Sequence, residues 1–349
     1  MSKLKYFSLF LLLLSCSEEK VRTDNAINKW EKTDIKFTES FFIKSFSNDK
    51  NLYLLFYDKL VVVDQDLNTK EIVKFVKQPW INPYPILSNN IFGISELKFN
   101  VGWPKDSAYF NLFTVREKVN SYTLNFSKLR SDINENTNVP FNLDLAAINE
   151  NNRILMVIPI FTTYTYLGVT FDIENTEGEI RLKNKRVFPL NDIKTLELRT
   201  MTSIGTDYYL STYDQTFKID QNGKSSLFDN KGMIGKPFFF QNKWHMKTYN
   251  GFYESDDRGI TWTTNNSYKY GFVYPLGIYN NRLYFSEDES QYCKNSIKWT
   301  DDLKQINELK IGNETTDSCF TRLKLMDKYL YSLGKDNLLY RVDIHATQQ

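Results

Sequence analysis

Asp64, Asp66 and Asn68 alternate like the first ligands of a calcium loop, where oxygen side chains at that spacing suit a hard cation. Such a loop also needs glycine at its sixth position and a bidentate glutamate at its twelfth. Thr69 and Phe75 stand there, so no metal is expected. Glu287/Asp288 and Asp301/Asp302 have the residue types of general acid–base work, but a glycosidase needs two carboxylates about 5–9 Å apart across a bond. Adjacent acids in polar stretches more commonly mark solvated turns. The chain has 2 histidines, His345 in its tail and His245 between Trp244 and Met246 in an expected strand. A packed or surface role suits His245 better than proton transfer. No residue is singled out as catalytic, and no cofactor is expected.

Aromatic residues offer a recognition surface instead. Gln78-Pro79-Trp80-Ile81-Asn82-Pro83-Tyr84-Pro85 is stiffened by its prolines, so Trp80 and Tyr84 can be presented at low entropic cost to a sugar face or a protein. Trp103, followed by Pro104, can join them in a ligand-binding rim. The commoner fate of such rings is to wedge between sheets.

These candidates need a scaffold, and Ser255-Asp256-Asp257-Arg258-Gly259-Ile260-Thr261-Trp262 is its clearest trace. β-Branched and aromatic residues flank it, as in strands. Ser255 and Asp257 can accept hydrogen bonds from turn amides, and Gly259 can take a positive φ. Thr261 and Trp262 restart a strand, with the indole free to bury against a neighbouring sheet. The pattern S-x-D-x-G-x-T-W resembles the Asp-box, or BNR repeat, of sialidase-like β-propellers at every defined position. That resemblance implies a structural staple remote from any active site. Sialidase activity is not expected: no Arg-Ile-Pro element occurs, Arg186-Val187-Phe188-Pro189 lies mid-chain, and one box alone is intact.

Used as a ruler, the box exposes a repeat. Hydrophobic strand starts recur at Leu52, Ile91, Ile154, Tyr209, Trp244, Leu283 and Tyr329, in steps of 39, 63, 55, 35, 39 and 46 residues. Propeller blades repeat every 40–50 or so. Insertions within 100–150 and 160–200 account for the long steps. Thr300–Lys304 and Asp64–Asn68 fall where degraded boxes belong. The expected fold is all-β, a propeller of seven four-stranded blades, with six or eight as alternatives. Residues 33–39 are expected to supply the last blade's outermost strand and close the ring.

At the N-terminus, Lys3 and Lys5 precede an apolar run, Tyr6 to Leu14. Nine residues at about 1.5 Å each cannot cross a roughly 30 Å hydrocarbon core, so the run reads as a signal peptide. Leu13-Leu14-Ser15-Cys16 resembles the lipobox of bacterial lipoproteins, which implies cleavage after residue 15 and acylation of Cys16, palmitate included. Ser17-Glu18-Glu19 resembles the surface-export signal of Bacteroidota lipoproteins, implying outer-membrane anchoring with the propeller facing outward; the periplasmic face is the alternative. The expected organisation is 1–15 signal peptide, 16–32 lipidated polar tether and 33–349 propeller. Cys293 and Cys319 remain in a compartment where disulfides persist, so one bridge is expected, worth roughly 3 kcal/mol.

Losing residues 1–15 removes two of the 44 basic residues and none of the 42 acidic ones, leaving 42 of each. That balance argues against nucleic acid as a partner and against electrostatic binding to lipid. The function expected is non-catalytic binding of a glycan or protein on a surface-displayed lipoprotein. The alternative is a carbohydrate-active hydrolase or lyase on the same scaffold. The oligomeric state is left open.

Overall fold

In a computed structural model, the described residues are 28–37, 42–47, 50–56, 59–74, 86–88, 91–97, 108–115, 119–125, 146–160, 165–176, 179–194, 198–265, 274–286, 296–312, 321–334 and 336–345. They form six four-stranded sheets and one five-stranded sheet, seven in all. Each contains an antiparallel meander running from the inside outwards, the arrangement of propeller blades, and chain order is kept except where N-terminal strands join the outer edges of the last two. Blades 1 to 7 span 42–74, 86–125, 146–189, 198–229, 238–264, 274–312 and 321–343.

All seven hydrophobic starts fall in the second strand of a blade: Asn51–Phe56, Ile91–Leu97, Arg153–Ile160, Asp207–Thr212, Lys243–Lys247, Arg282–Ser286 and Tyr329–Leu333. The reason is physical. A second strand is covered on both faces by the adjoining sheets, so its residues are apolar without alternation. Leu52 through Phe56 are at most 2% exposed. Fourth strands lie at the rim, and Thr263–Thr264 is exposed throughout. Part of the long step from Ile154 to Tyr209 comes from lengthened strands, Thr165–Thr176 and Glu179–Pro189, of 12 and 11 residues.

The core is a set of layers between blades. Leu52, Leu54, Phe56 and Val63 of blade 1 pack with Met326, Tyr331, Leu333 and Leu339 of blade 7, which closes the ring. Blade 7 contributes three strands of its own, and Glu31–Lys36 adds the fourth, antiparallel to Leu338–Asp343. The closing strand thus begins two residues before the expected 33–39. Asn28–Lys29 extends the outer edge of blade 6 in parallel, and Trp30 is buried between blades 6 and 7. The segment expected as tether therefore contributes its last residues to the ring. Among the described residues, no helix is long and apolar enough to cross a membrane.

Candidate functional site

In a four-stranded meander, the turns joining strands one to two and three to four share one end, and the two-to-three turn lies at the other. The octapeptide joins Phe252–Ser255 to Thr263–Thr264 in blade 5, a three-to-four turn. Asp257 accepts hydrogen bonds from the Ser255 hydroxyl (2.8 Å) and from the Thr261 amide (2.9 Å) and hydroxyl, while the Gly259 amide donates to Ser255 Oγ (2.7 Å). Gly259 has φ +82°, and a Cβ there would meet Ile204 Cγ2 at 2.9 Å, so glycine meets two demands at once.

Trp262 turns inward to blade 4, where Nε1 donates to the Tyr209 hydroxyl (2.8 Å) and that hydroxyl donates to the Gly259 carbonyl (2.9 Å). The Lys218 ammonium adds a bond to the same carbonyl (2.9 Å) and pairs with Asp207 (3.0 Å). The box is therefore a clamp between two blades. Its degraded copy folds the same way: Leu303 and Arg258 share φ 61°, Leu303 N bonds Thr300 Oγ1 (2.9 Å), and Asp302 caps the Lys304 and Gln305 amides. Asp64 likewise spends its oxygens on the Asp66 and Asn68 amides and the Asn68 side chain, a capped hairpin.

The hydrogen bonds from Thr261 and Ser255 hold the Asp257 carboxyl down at about 2. An aspartate in an unfolded chain titrates near 3.9, so between those values the folded protein binds fewer protons. The contribution is present above about pH 4 and lost as pH falls through about 2. Thermal melts from roughly pH 5 to pH 2 should show Asp257→Asn losing less stability than the parent across that window. Parallel curves would exclude the contribution.

The opposite end of blades 4 and 5 has a different character. Their two-to-three turns run Thr212-Tyr213-Asp214-Gln215 and Thr248-Tyr249-Asn250-Gly251. In each, the threonine hydroxyl accepts amides two and three residues on: 3.2 and 2.9 Å in blade 4, 3.1 and 3.3 Å in blade 5. Each closes with a backbone bond to the threonine amide (2.8 and 2.9 Å). The tyrosine that follows points outward, Tyr213 at 51% and Tyr249 at 56% exposure. Large rings standing in water on rigid turns, in adjacent blades, are the arrangement of a contact surface.

The connector from blade 4 to blade 5 threads between these turns. Gly232 lies so close to the first that a Cβ would fall 2.4 Å from the Thr212 carbonyl oxygen and 2.5 Å from that of Tyr213. On its other side, the Gly232 carbonyl accepts the Tyr249 amide (3.1 Å). Asp229, 5% exposed, starts the connector and accepts from the Thr248 hydroxyl (2.6 Å), Asn250 Nδ2 (2.6 Å), the Tyr253 hydroxyl (2.7 Å) and the Lys231 amide (3.1 Å). Asn250 Nδ2 also bonds Asn230 Oδ1. Burial, helped by the Asp229 carboxylate, pushes the Tyr253 phenol up to about 12, which keeps it a donor. The Arg199 guanidinium stacks on Tyr213, its Cζ 3.1 Å from the ring centroid.

Cys16, Trp80, Tyr84, Trp103, Cys293 and Cys319 lie outside the described residues. Ser255, Asp257, Gly259, Thr261 and Trp262 come together at the box end, away from the tyrosine face. Sequence reasoning passed over Tyr213 and Tyr249. The signal was a tyrosine followed by Asp or Asn at the end of a second strand, as in Tyr213-Asp214 and Tyr249-Asn250.

Neither histidine belongs to that face. His245 is buried, stacked on Phe238 (5.1 Å), with Nε2 3.1 Å from the Phe240 carbonyl. Its Nδ1 is 3.8 Å from Glu254, too far for a hydrogen bond, and burial lowers its pKa, leaving it neutral. His345 is exposed beside the Tyr279 hydroxyl (3.3 Å).

The folded ring is similar to solved structures. Virginiamycin B lyase from Staphylococcus aureus is 12% identical, with a TM-score of 0.52 over 90% of this chain and 99% of that one. Its catalytically inactive form bound to quinupristin gives 10% and 0.51. A prolyl endopeptidase gives 9% and 0.51, over 88% of this chain and 47% of the other. The fold is a β-propeller. At such identities the likeness reaches no further than the fold. No protein-family model matches the sequence, and no curated protein matches it.

Proposed function

We propose that this protein is a β-propeller that binds a glycan or protein partner without catalysis, displayed on the outer membrane through lipid on Cys16. The observation that carries the binding reading is the pair of exposed tyrosines, Tyr213 and Tyr249, clamped at fixed spacing by Gly232 and Asp229. Rigid aromatic residues lose little entropy on binding, so such a face suits recognition. The lipobox and the acidic Ser17-Glu18-Glu19 support anchoring and outward display. Two acyl-type anchors hold a protein on a bilayer where one does not.

An enzymatic alternative draws on virginiamycin B lyase, whose inactive form has a histidine replaced by alanine. In this chain His245 is enclosed by blade 5 aromatics and His345 stands apart from the tyrosine face.

The test is a glycan and peptide array probed with the full chain in detergent, with product analysis in parallel. Binding that Tyr249→Ala abolishes while the melting curve is unchanged is the expected result. Released reducing sugar or an unsaturated product would overturn the non-catalytic reading. For the anchor, Cys16→Ser should abolish acyl labelling, and unchanged labelling would exclude it.

A further inference from the structure

We propose that the tyrosine face of blades 4 and 5 recognises an acidic polysaccharide, one whose sugars carry carboxylates. This deepens the binding reading above and rests on it. Two cations stand on the face. Arg199, at the start of the first strand of blade 4, is exposed, and so is Lys231, in the connector that runs between the two turns. Among the described residues, neither side chain has a carboxylate within ion-pair distance, whereas Lys218, Lys243, Lys328, Arg153 and Arg341 each have one. Asp229, the nearest acid in sequence to Lys231, is buried and saturated by its four donors. Asp214 is the one exposed acid of the two turns. Among the described residues, the face therefore presents two exposed cations against one exposed acid, on a chain whose charges otherwise nearly balance.

The ligand class follows from the geometry of the groups. The Arg199 guanidinium lies over the Tyr213 ring, and a cation held by a ring face still has N–H donors for a second partner. Those donors match a planar carboxylate in a two-pronged bond better than they match a neutral hydroxyl. Tyr249 in the next blade offers a free ring at 56% exposure, the surface on which the C–H face of a sugar packs. Beside it, the Asn250 amide nitrogen is spent on Asp229 and Asn230, and the Asn230 amide nitrogen and Asn250 amide oxygen are the groups suited to sugar hydroxyls. A chain of acidic residues alone would satisfy the two cations but brings no flat C–H face to the ring beside them.

The experiment titrates the full chain in detergent with oligogalacturonate, dextran, chondroitin sulfate and poly-glutamate by calorimetry, at low and raised salt. Oligogalacturonate should bind best, weakening about tenfold in Arg199→Gln and in Lys231→Gln, the loss expected for one charge-assisted contact. Tyr249→Ala should weaken it similarly, with unchanged melting curves in all three variants. Equal binding of dextran, or binding indifferent to both charge variants, overturns the acidic preference; if Tyr249→Ala still removes that binding, the broader reading survives. Tighter binding of chondroitin sulfate assigns the cations to sulfate, and tighter binding of poly-glutamate assigns the face to peptide; either overturns the proposal. No binding of any probe overturns it and counts against the broader reading too.

Discussion

Asp229→Ala is expected to destabilise the protein by about 3–5 kcal/mol, the range for removing one side of a buried, hydrogen-bonded charge network. The carboxylate is 5% exposed and takes donors from three side chains and one amide. Alanine leaves the Tyr253 hydroxyl and the Thr248 hydroxyl without their acceptor, and Thr248 is fully buried. Asp229→Asn keeps the shape and half the acceptors, so its cost should be smaller, about 1–2 kcal/mol. Asp214→Asn, exposed on the neighbouring turn, should stay within about 0.5 kcal/mol. Urea unfolding separates these cases. An Asp229→Ala loss under about 1 kcal/mol would mean the network holds nothing together.

Gly232→Ala should cost about 2–3 kcal/mol and weaken ligand binding, although it adds one carbon and removes no contact side chain. The reason is where the carbon lands, 2.4 and 2.5 Å from two backbone carbonyl oxygens that no rotamer change can move aside. The connector cannot retreat freely either. It is held to blade 5 by the Tyr249 amide on the Gly232 carbonyl (3.1 Å) and to blade 4 by the Met233 amide on Ser211 Oγ (2.7 Å). Relief of the clash must therefore change the spacing of the two tyrosine turns. Tyr213→Ala supplies the contrast, since an exposed ring can go with little loss of stability. If Gly232→Ala unfolds at the parent's urea concentration and binds as the parent does, the spacing of the turns is not what the connector sets.

Much of the architecture was legible because it follows from local rules. A second strand squeezed between two sheets must be apolar on both faces, so Leu52–Phe56 and Tyr208–Leu210 announce themselves as runs. Box hairpins were legible for a similar reason: capping amides at a turn takes Ser, Thr or Asp at set spacings, as at Ser255, Thr300 and Asp64. A closing strand was expected at 33–39, and Glu31–Lys36 takes that place beside Leu338–Asp343. Its register was less legible, since two short strands with a buried Trp30 between them leave little periodicity to read.

The tyrosine face was hidden by a different cause. Tyr213 and Tyr249 look like two of 22 tyrosines, and Gly232 like any loop glycine. Locally, only the Asp or Asn that follows it separates a ring that stands in water from one that fills a layer, as Tyr209 does. The sequence by itself determined the blade repeat, the capped hairpins and the order of strands, because those depend on residues close along the chain. Only the tertiary structure decided which aromatic residues face outward and which glycine sits between them. Those facts depend on the approach of two blades, and that approach is set by contacts, such as Trp262 on Tyr209 and Thr248 on Asp229, between residues far apart in sequence.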